Sequence, residues 1–292
     1  MKKAIITITF FIILFFSIIT SSYAIIKDTT IYVDDDNITG PWDGSHEHPY
    51  QYIQDGIDGS SDGDTIFVYS GLYFEDIVLN KSIILEGENK HITIIDGSNN
   101  INFSYGIILT SYSRLYSPMI SGFTVQHFDS AIAKRAPIGG ILNLIISDNI
   151  IQDNGNGIVI PTTIGGYHLG LEISNNIIKN NSRGIYISCF RDFLVKRNHI
   201  VSNEMIGIEL DGGYNAKIIQ NNIIHNNPDA FVKSYGSIGV LCSLFLNRWN
   251  ENYWGEEYNR VKIIPGNPCN VYDWHPAQEP YNIQSGFSEN WM

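Results

Sequence analysis

The sequence predicts an all-β solenoid, a single parallel β-helix, and three observations predict it. The first is a pair of asparagines five residues apart that recurs as Asn149/Asn154, Asn176/Asn181, Asn198/Asn203 and Asn222/Asn227, with a further copy at Asn247/Asn252. The second is the period. Successive first asparagines lie 27, 22, 24 and 25 positions apart, a spacing that marks stacked-repeat architectures. The third is the local alternation. Ile158-Val159-Ile160, Ile185-Tyr186-Ile187 and Ile208-Glu209-Leu210 each follow a glycine (Gly157, Gly184, Gly207) and are apolar at every second position. Period two means strands, which excludes helical repeats.

Each unit is too short to bury its own apolar face, so neighbouring units must stack to form a continuous core. Three short strands and three turns fit one coil, and coils stack at the strand spacing of ~4.8 Å. Identical residues then lie above one another, and stacked asparagines can form an amide hydrogen-bond ladder. Asparagine also tolerates the left-handed backbone of sharp turns. The Asn pairs are therefore read as structural. Upstream, Thr65-Ile66-Phe67-Val68, Ile77-Val78-Leu79, Ser82-Ile83-Ile84-Leu85, Ile92-Thr93-Ile94-Ile95 and Gly106-Ile107-Ile108-Leu109 read as strands of the same kind. About nine coils of about 24 residues are expected between Ile31 and Trp254, with the repeats proper at 65–254.

The two open ends of a solenoid need covering. Within an N-terminal segment at 25–64, Pro49 to Ile57 predicts a short capping helix. Pro49 suits a first helical position, Tyr50, Ile53 and Ile57 share one face, and Asp58-Gly59 ends it. Residues 255–292 lose the repeat pattern and become rich in proline and aromatics, as in Pro265, Pro268 and Trp274-His275-Pro276. They predict an irregular C-terminal cap.

Residues 1–24 read as a signal peptide, with Lys2 and Lys3 before an apolar run and Ser22-Tyr23-Ala24 at the cleavage position. An uncleaved N-terminal anchor is the alternative. The expected location is secreted, extracellular or cell surface, with no membrane contact after cleavage. Loss of the two lysines takes the net charge from −12 to −14. An acidic surface without basic clusters excludes nucleic acid as partner. Cys189, Cys242 and Cys269 allow at most one internal disulfide and show no CxxC spacing.

Several segments carry a family resemblance. They are Ile31-Tyr32-Val33-Asp34-Asp35-Asp36, Trp42-Asp43-Gly44-Ser45, Ile53-Gln54-Asp55-Gly56-Ile57, Gly63-Asp64-Thr65-Ile66 and Ile95-Asp96-Gly97, with Asn252-Tyr253-Trp254-Gly255 near the end. Together with the Asn-Ile-Ile repeats they resemble right-handed parallel β-helix proteins of the pectin lyase-like fold, in the NosD-like group. The resemblance implies a right-handed helix and leaves function open, because this fold hosts lyases, hydrolases, esterases and non-catalytic surface proteins. The signature sets of polygalacturonases, pectate lyases and pectin methylesterases are missing. The NosD name implies copper-related work. Against that, only Met119 and Met205 lie between the ends, and no Cys/Met/His cluster accompanies them.

One acidic pair invites a chemical reading. If Ile158, Ile185, Ile208 and Phe231 face inward, then Val159, Tyr186, Glu209 and Val232 form one outward column, and Pro161, Ser188, Asp211 and Ser234 another. Glu209 and Asp211 then stand roughly 6.6 Å apart along one strand, near the lower limit for an inverting glycosidase pair. Tyr186 offers a ring for a sugar. A solvated acidic strand face is the structural alternative. Asp34 and Asp36, with Asp62 and Asp64, offer hard oxygen ligands for calcium, without EF-hand spacing; no other cofactor is expected. The sequence thus favours an exported, non-catalytic β-helix that binds a polysaccharide or another cell-surface component. The alternatives are a polysaccharide lyase or glycoside hydrolase using Glu209 and Asp211, and a purely structural surface protein.

Overall fold

The computed structural model describes residues 29–99, 105–110, 117–135, 143–161, 168–233, 247–255 and 261–283. The expected signal peptide at 1–24 and Cys242 lie outside them. Among the described residues no helix is long and apolar enough to cross a membrane.

The chain winds as a parallel solenoid with three strand faces per coil. In one coil, Ile145–Ser147 lies on the first face, Ile150–Gln152 on the second and Asn156–Ile160 on the third. The second face is a separate sheet of seven stacked strands, running from Gly71–Tyr73 to Asn222–Ile224. Among the described residues these seven rungs span about six turns, fewer than the nine expected. The early chain does not follow a 24-residue step, because its strands pair at irregular intervals. The first and third faces join into one sheet because Arg183–Lys196 and Ile206–Ile219 bend from the third face onto the first.

Columns of β-branched residues form the core. On the third face Ile77, Ile107, Ile132, Ile158, Ile185 and Ile208 lie in register and are fully buried. On the first face Ile66, Leu85, Ile120, Ile146, Ile173, Val195 and Ile218 do the same. Each buried aliphatic side chain contributes on the order of 1.5–3 kcal/mol. The columns give the solenoid its stability rung by rung.

The N-terminal helix is shorter and later than expected. It spans Ile53–Gly59, with Ile53 and Ile57 fully buried against the first coil. Tyr50 does not join it. Its backbone instead extends the sheet, donating to Tyr32 O at 2.9 Å and accepting from Asp34 N at 2.8 Å. The helix start is fixed from a distance. Glu75 Oε1 accepts from Ile53 N at 2.8 Å and Oε2 from Gln54 N at 3.0 Å, which satisfies two of the orphan donors of the first turn.

At the C-terminal end, Lys262–Ile264 runs antiparallel to Val271–Asp273, and Trp249 and Trp254 close the core. Asn222 clamps the tail reciprocally: its Oδ1 accepts from Tyr281 N at 2.8 Å and its Nδ2 donates to Tyr281 O at 2.8 Å.

Two asparagine ladders

The ladders form, with one register corrected. The first runs Asn149, Asn176, Asn198, Asn221 and Asn252, each Nδ2 donating to the next Oδ1 at 2.9–3.2 Å. The second runs Asn154, Asn181, Asn203 and Asn226 at 2.8–3.1 Å. The fourth pair is therefore Asn221/Asn226, one residue before the expected Asn222/Asn227. Asn247 stands in neither ladder, its Oδ1 accepting from Ala216 N at 2.9 Å.

Each ladder has a direction. At the upstream end, Asn149 and Asn154 accept from the backbone N–H of Phe123 and Phe128. At the downstream end a carboxylate takes over. Asp273 Oδ2 accepts from Asn252 Nδ2 at 3.0 Å and from Trp254 Nε1 at 3.2 Å, and Asp229 Oδ1 accepts from Asn226 Nδ2 at 3.2 Å. An acceptor-only group is what the last donor needs.

The left-handed turn residue precedes the ladder asparagine. Arg197, Ser202, Gln220 and Glu251 all have φ between 53° and 57°, a region such residues rarely adopt. The asparagine amide bridges back across that residue, as from Asn221 Nδ2 to Ile219 O at 3.1 Å. The ladder holds the turn, so the turn residue itself varies freely.

Candidate functional site

The third face carries the acidic pair, and its register differs from the expected one. Ala230, not Phe231, stacks on Ile208; Phe231 follows Glu209 and Lys233 follows Asp211. The turn through Pro228 and Asp229 shortens that step to 22 residues, so every downstream residue changes face relative to the expected columns. Asp211 thus neighbours Lys233, and Ser234 lies outside the described residues.

The structure brings Tyr186, Glu209 and Asp211 together and adds two cations that sequence reading missed. Glu209 is nearly buried, 6% exposed. Lys233 Nζ sits 2.5 Å from its Oε1, and Arg183 Nε lies 3.4 Å from its Oε2. The Arg183 guanidinium also lies 5.2 Å from the centre of the Tyr186 ring, a cation–π distance. Tyr186 donates its hydroxyl to Asp211 Oδ2 at 3.2 Å. Burial, and then the neighbouring Asp211 charge, push the Tyr186 phenol up, so it stays a donor. Asp211 Oδ1 is buried without a partner.

This arrangement ties both carboxylates to neighbouring side chains: Lys233 bonds Oε1 of Glu209, the Arg183 guanidinium faces Oε2 at ion-pair distance while its buried Nε makes no hydrogen bond, and Tyr186 bonds Asp211. It is a good fixed polar surface, with one ring, one guanidinium and one vacant acceptor. A period-two pattern could locate Glu209 and Asp211, but Arg183 and Lys233 depend on inter-coil register.

The other candidate ligands are turn residues. Asp34 Oδ1 accepts from Asp36 N at 3.1 Å. Asp62 Oδ1 accepts from Ser82 N at 2.7 Å, and Asp64 accepts from Thr29 N and Ser61 N. Asp34 and Asp36 share one turn, and Asp62 and Asp64 share another. Among the described residues no three His, Cys, Asp or Glu side chains converge as a metal site.

Residues 57–273 match the family model described as "NosD: Periplasmic copper-binding protein (NosD)". A solved structure, the Azotobacter vinelandii mannuronan C-5 epimerase AlgE4 A-module, aligns with 85% of this chain and 96% of its own at 13% identity and a TM-score of 0.33. A likeness that loose carries nothing about the site. None of the curated proteins compared with the chain matches it.

The family description raises copper, which prefers thiolate, thioether and imidazole donors. Among the described residues these donors are scattered. Cys269 is a free, exposed thiol, Met205 is exposed, His127 pairs with Asp96, and His275 pairs with Asn250. These residues do not fit a copper centre. With most of its length matched by that one family model, and a parallel solenoid in its structure, the chain belongs to the NosD family.

Proposed function

We propose that this chain is an exported, non-catalytic β-helix that binds carbohydrate. The observation that carries the reading is the outward cluster of Arg183, Tyr186, Glu209, Asp211 and Lys233. It offers a ring to stack on and fixed polar groups to orient a ligand, while its buried carboxylate is held between two cations. Extended polysaccharides use that combination of stacking and hydrogen bonds. The family description as periplasmic and the Lys2-Lys3 leader pattern support export.

A glycan array with product analysis tests it, run with and without calcium. Binding without shortened products is the expected result. Tyr186→Ala is expected to weaken binding at this face by about 1 kcal/mol, the size of a lost stacking contact. Product release that Glu209→Gln abolishes would replace this reading with a hydrolase. A blank array would leave a structural surface protein.

A further inference from the structure

The first coils carry a second feature, on another face from the Glu209 cluster. On the first face Val33, Ile66 and Val68 point into the core and are fully buried. Strand alternation turns Tyr32, Phe67 and Tyr69 outward, and all three stay partly exposed. Tyr32 lies in register beside Phe67, as Val33 does beside Val68. The loop before the capping helix brings the exposed His46 to the same spot.

The four rings form a corner. Tyr32 and Tyr69 lie 6.0 Å apart with planes 20° apart. Phe67 stands edge-on to both, at 6.0 and 5.3 Å. His46 also stands edge-on to both, at 5.2 and 6.3 Å. Rings set at steep angles turn their electron-rich faces in more than one direction.

Carboxylates surround this corner. Glu86 follows Phe67 in the same outward column and is exposed. Glu88 Oε2 accepts from Ser70 N at 2.9 Å and Ser70 Oγ at 2.7 Å, next to Tyr69. Glu47 follows His46 and is exposed. Burial first, and then Tyr32, Glu88, Asp34 and Glu47, hold the Tyr69 phenol above its ordinary value. Between Thr29 and Asn80 the chain has eleven Asp and Glu and no Lys or Arg. The next two lysines are committed elsewhere. Lys81 Nζ donates to the Ile57, Asp58 and Ser60 carbonyls, and Lys90 is buried against Asp148. Among the described residues Glu47, Glu86 and Glu88 stand in no ion pair. A negative field over exposed ring faces favours a cation that can sit on those rings.

We propose that this corner binds a soluble quaternary ammonium ion of the choline type, its methylated head on the Tyr32 and Tyr69 rings and its charge matched by Glu47, Glu86 and Glu88. A compact ammonium is strongly hydrated, whereas a trimethylammonium head presents methyl groups and gives up little water on reaching a ring. A phosphate or carboxylate on the same ligand would meet the surrounding carboxylates, so the ligand carries a net positive charge. The site does not depend on the carbohydrate reading.

Calorimetry of the protein with four small ligands tests it. They are choline, its neutral isostere with a tert-butyl group in place of the trimethylammonium, phosphocholine and glycine betaine. Choline is expected to bind about tenfold more tightly than the isostere, the order of one well-placed cation–π contact. Phosphocholine and glycine betaine are expected to bind no better than the isostere. Tyr69→Leu is expected to abolish the preference for choline. The Glu47→Gln, Glu86→Gln double variant touches exposed side chains only, and is expected to melt as the wild type does while binding choline several-fold more weakly. An isostere that binds as tightly as choline overturns the cation. Phosphocholine that binds as tightly as choline overturns the part of the carboxylates. Choline that binds with full affinity in both variants overturns the place, and choline that does not bind at millimolar concentration overturns the site.

Discussion

At the scale of single residues, asparagine does what no neighbouring residue type can. Its amide presents one acceptor and two donors on a short stem, so each copy can serve the copies above and below and still brace its own turn. Aspartate supplies only acceptors, which explains why it stands where a ladder ends. Asn198→Asp would set two acceptors against each other at Asn221 and remove the donor to Ile173 O at 2.8 Å. We expect it to destabilise by about 2–3 kcal/mol, the cost of buried polar groups left unpaired. Asp273→Asn keeps one acceptor for Asn252 and should cost less; urea melts of both variants check the order. A second residue sets a pH response. Burial pushes the Asp96 carboxyl up, but hydrogen bonds from Gln126, Ser98 and His127 outweigh it and hold the pKa at about 2, below the ordinary 3.8. A depressed carboxylate stabilises the fold above its ordinary pKa and loses that contribution as pH falls through the folded value. Melting temperatures between pH 5 and pH 2 should therefore fall more steeply in the wild type than in Asp96→Asn.

At the scale of elements, strands were legible where one face is buried and glycine or asparagine punctuates the run. Ile158, Ile185 and Ile208 sit inward as their alternation predicts. The reading slipped at Asn221-Asn222 and Asn226-Asn227, where two adjacent asparagines fit the same five-residue spacing. Local pattern cannot choose between them, because the choice appears only in the pairing between coils, where Asn222 lies beside His199 and Ile223 beside Ile200. The capping helix was legible in type and misplaced in position for a similar reason. Its N-terminus is set by Glu75, more than twenty residues downstream, and no local capping residue marks it. Glu75→Ala should cost about 1–2 kcal/mol, as loss of a helix cap does. Glu75→Gln should retain part of that. Hydrogen exchange at Ile53 and Gln54 would report the loss directly, since these are the donors left open.

At the scale of the whole molecule, stability is distributed as nearest-neighbour contacts between coils. The candidate site follows the same logic. Arg183, Glu209 and Lys233 come from three successive rungs, so its chemistry exists only after stacking, and a sequence scan for motifs passes over it. Ile185→Ala, in the middle of a core column, should cost about 2–5 kcal/mol. It should also loosen the Arg183–Glu209–Lys233 cluster on the outer side of the same strands. A glycan that binds there would lose affinity in parallel with stability.

The polarity of the ladders makes solenoid length an adjustable quantity. Both termini of each ladder are closed by dedicated groups, backbone N–H upstream and a carboxylate downstream, while every interior junction is chemically the same. A coil can therefore be spliced into the interior without either end registering the change. Duplication of residues 176–197, one full step from Asn176 to Asn198, should give a folded protein with more β signal in circular dichroism and an undiminished melting temperature. Cutting the chain before Asp273 should instead leave Asn252 and Trp254 donating to nothing, and the exposed rung should seek a second molecule. Growth by internal duplication is open to this fold, and erosion from the C-terminal end is not.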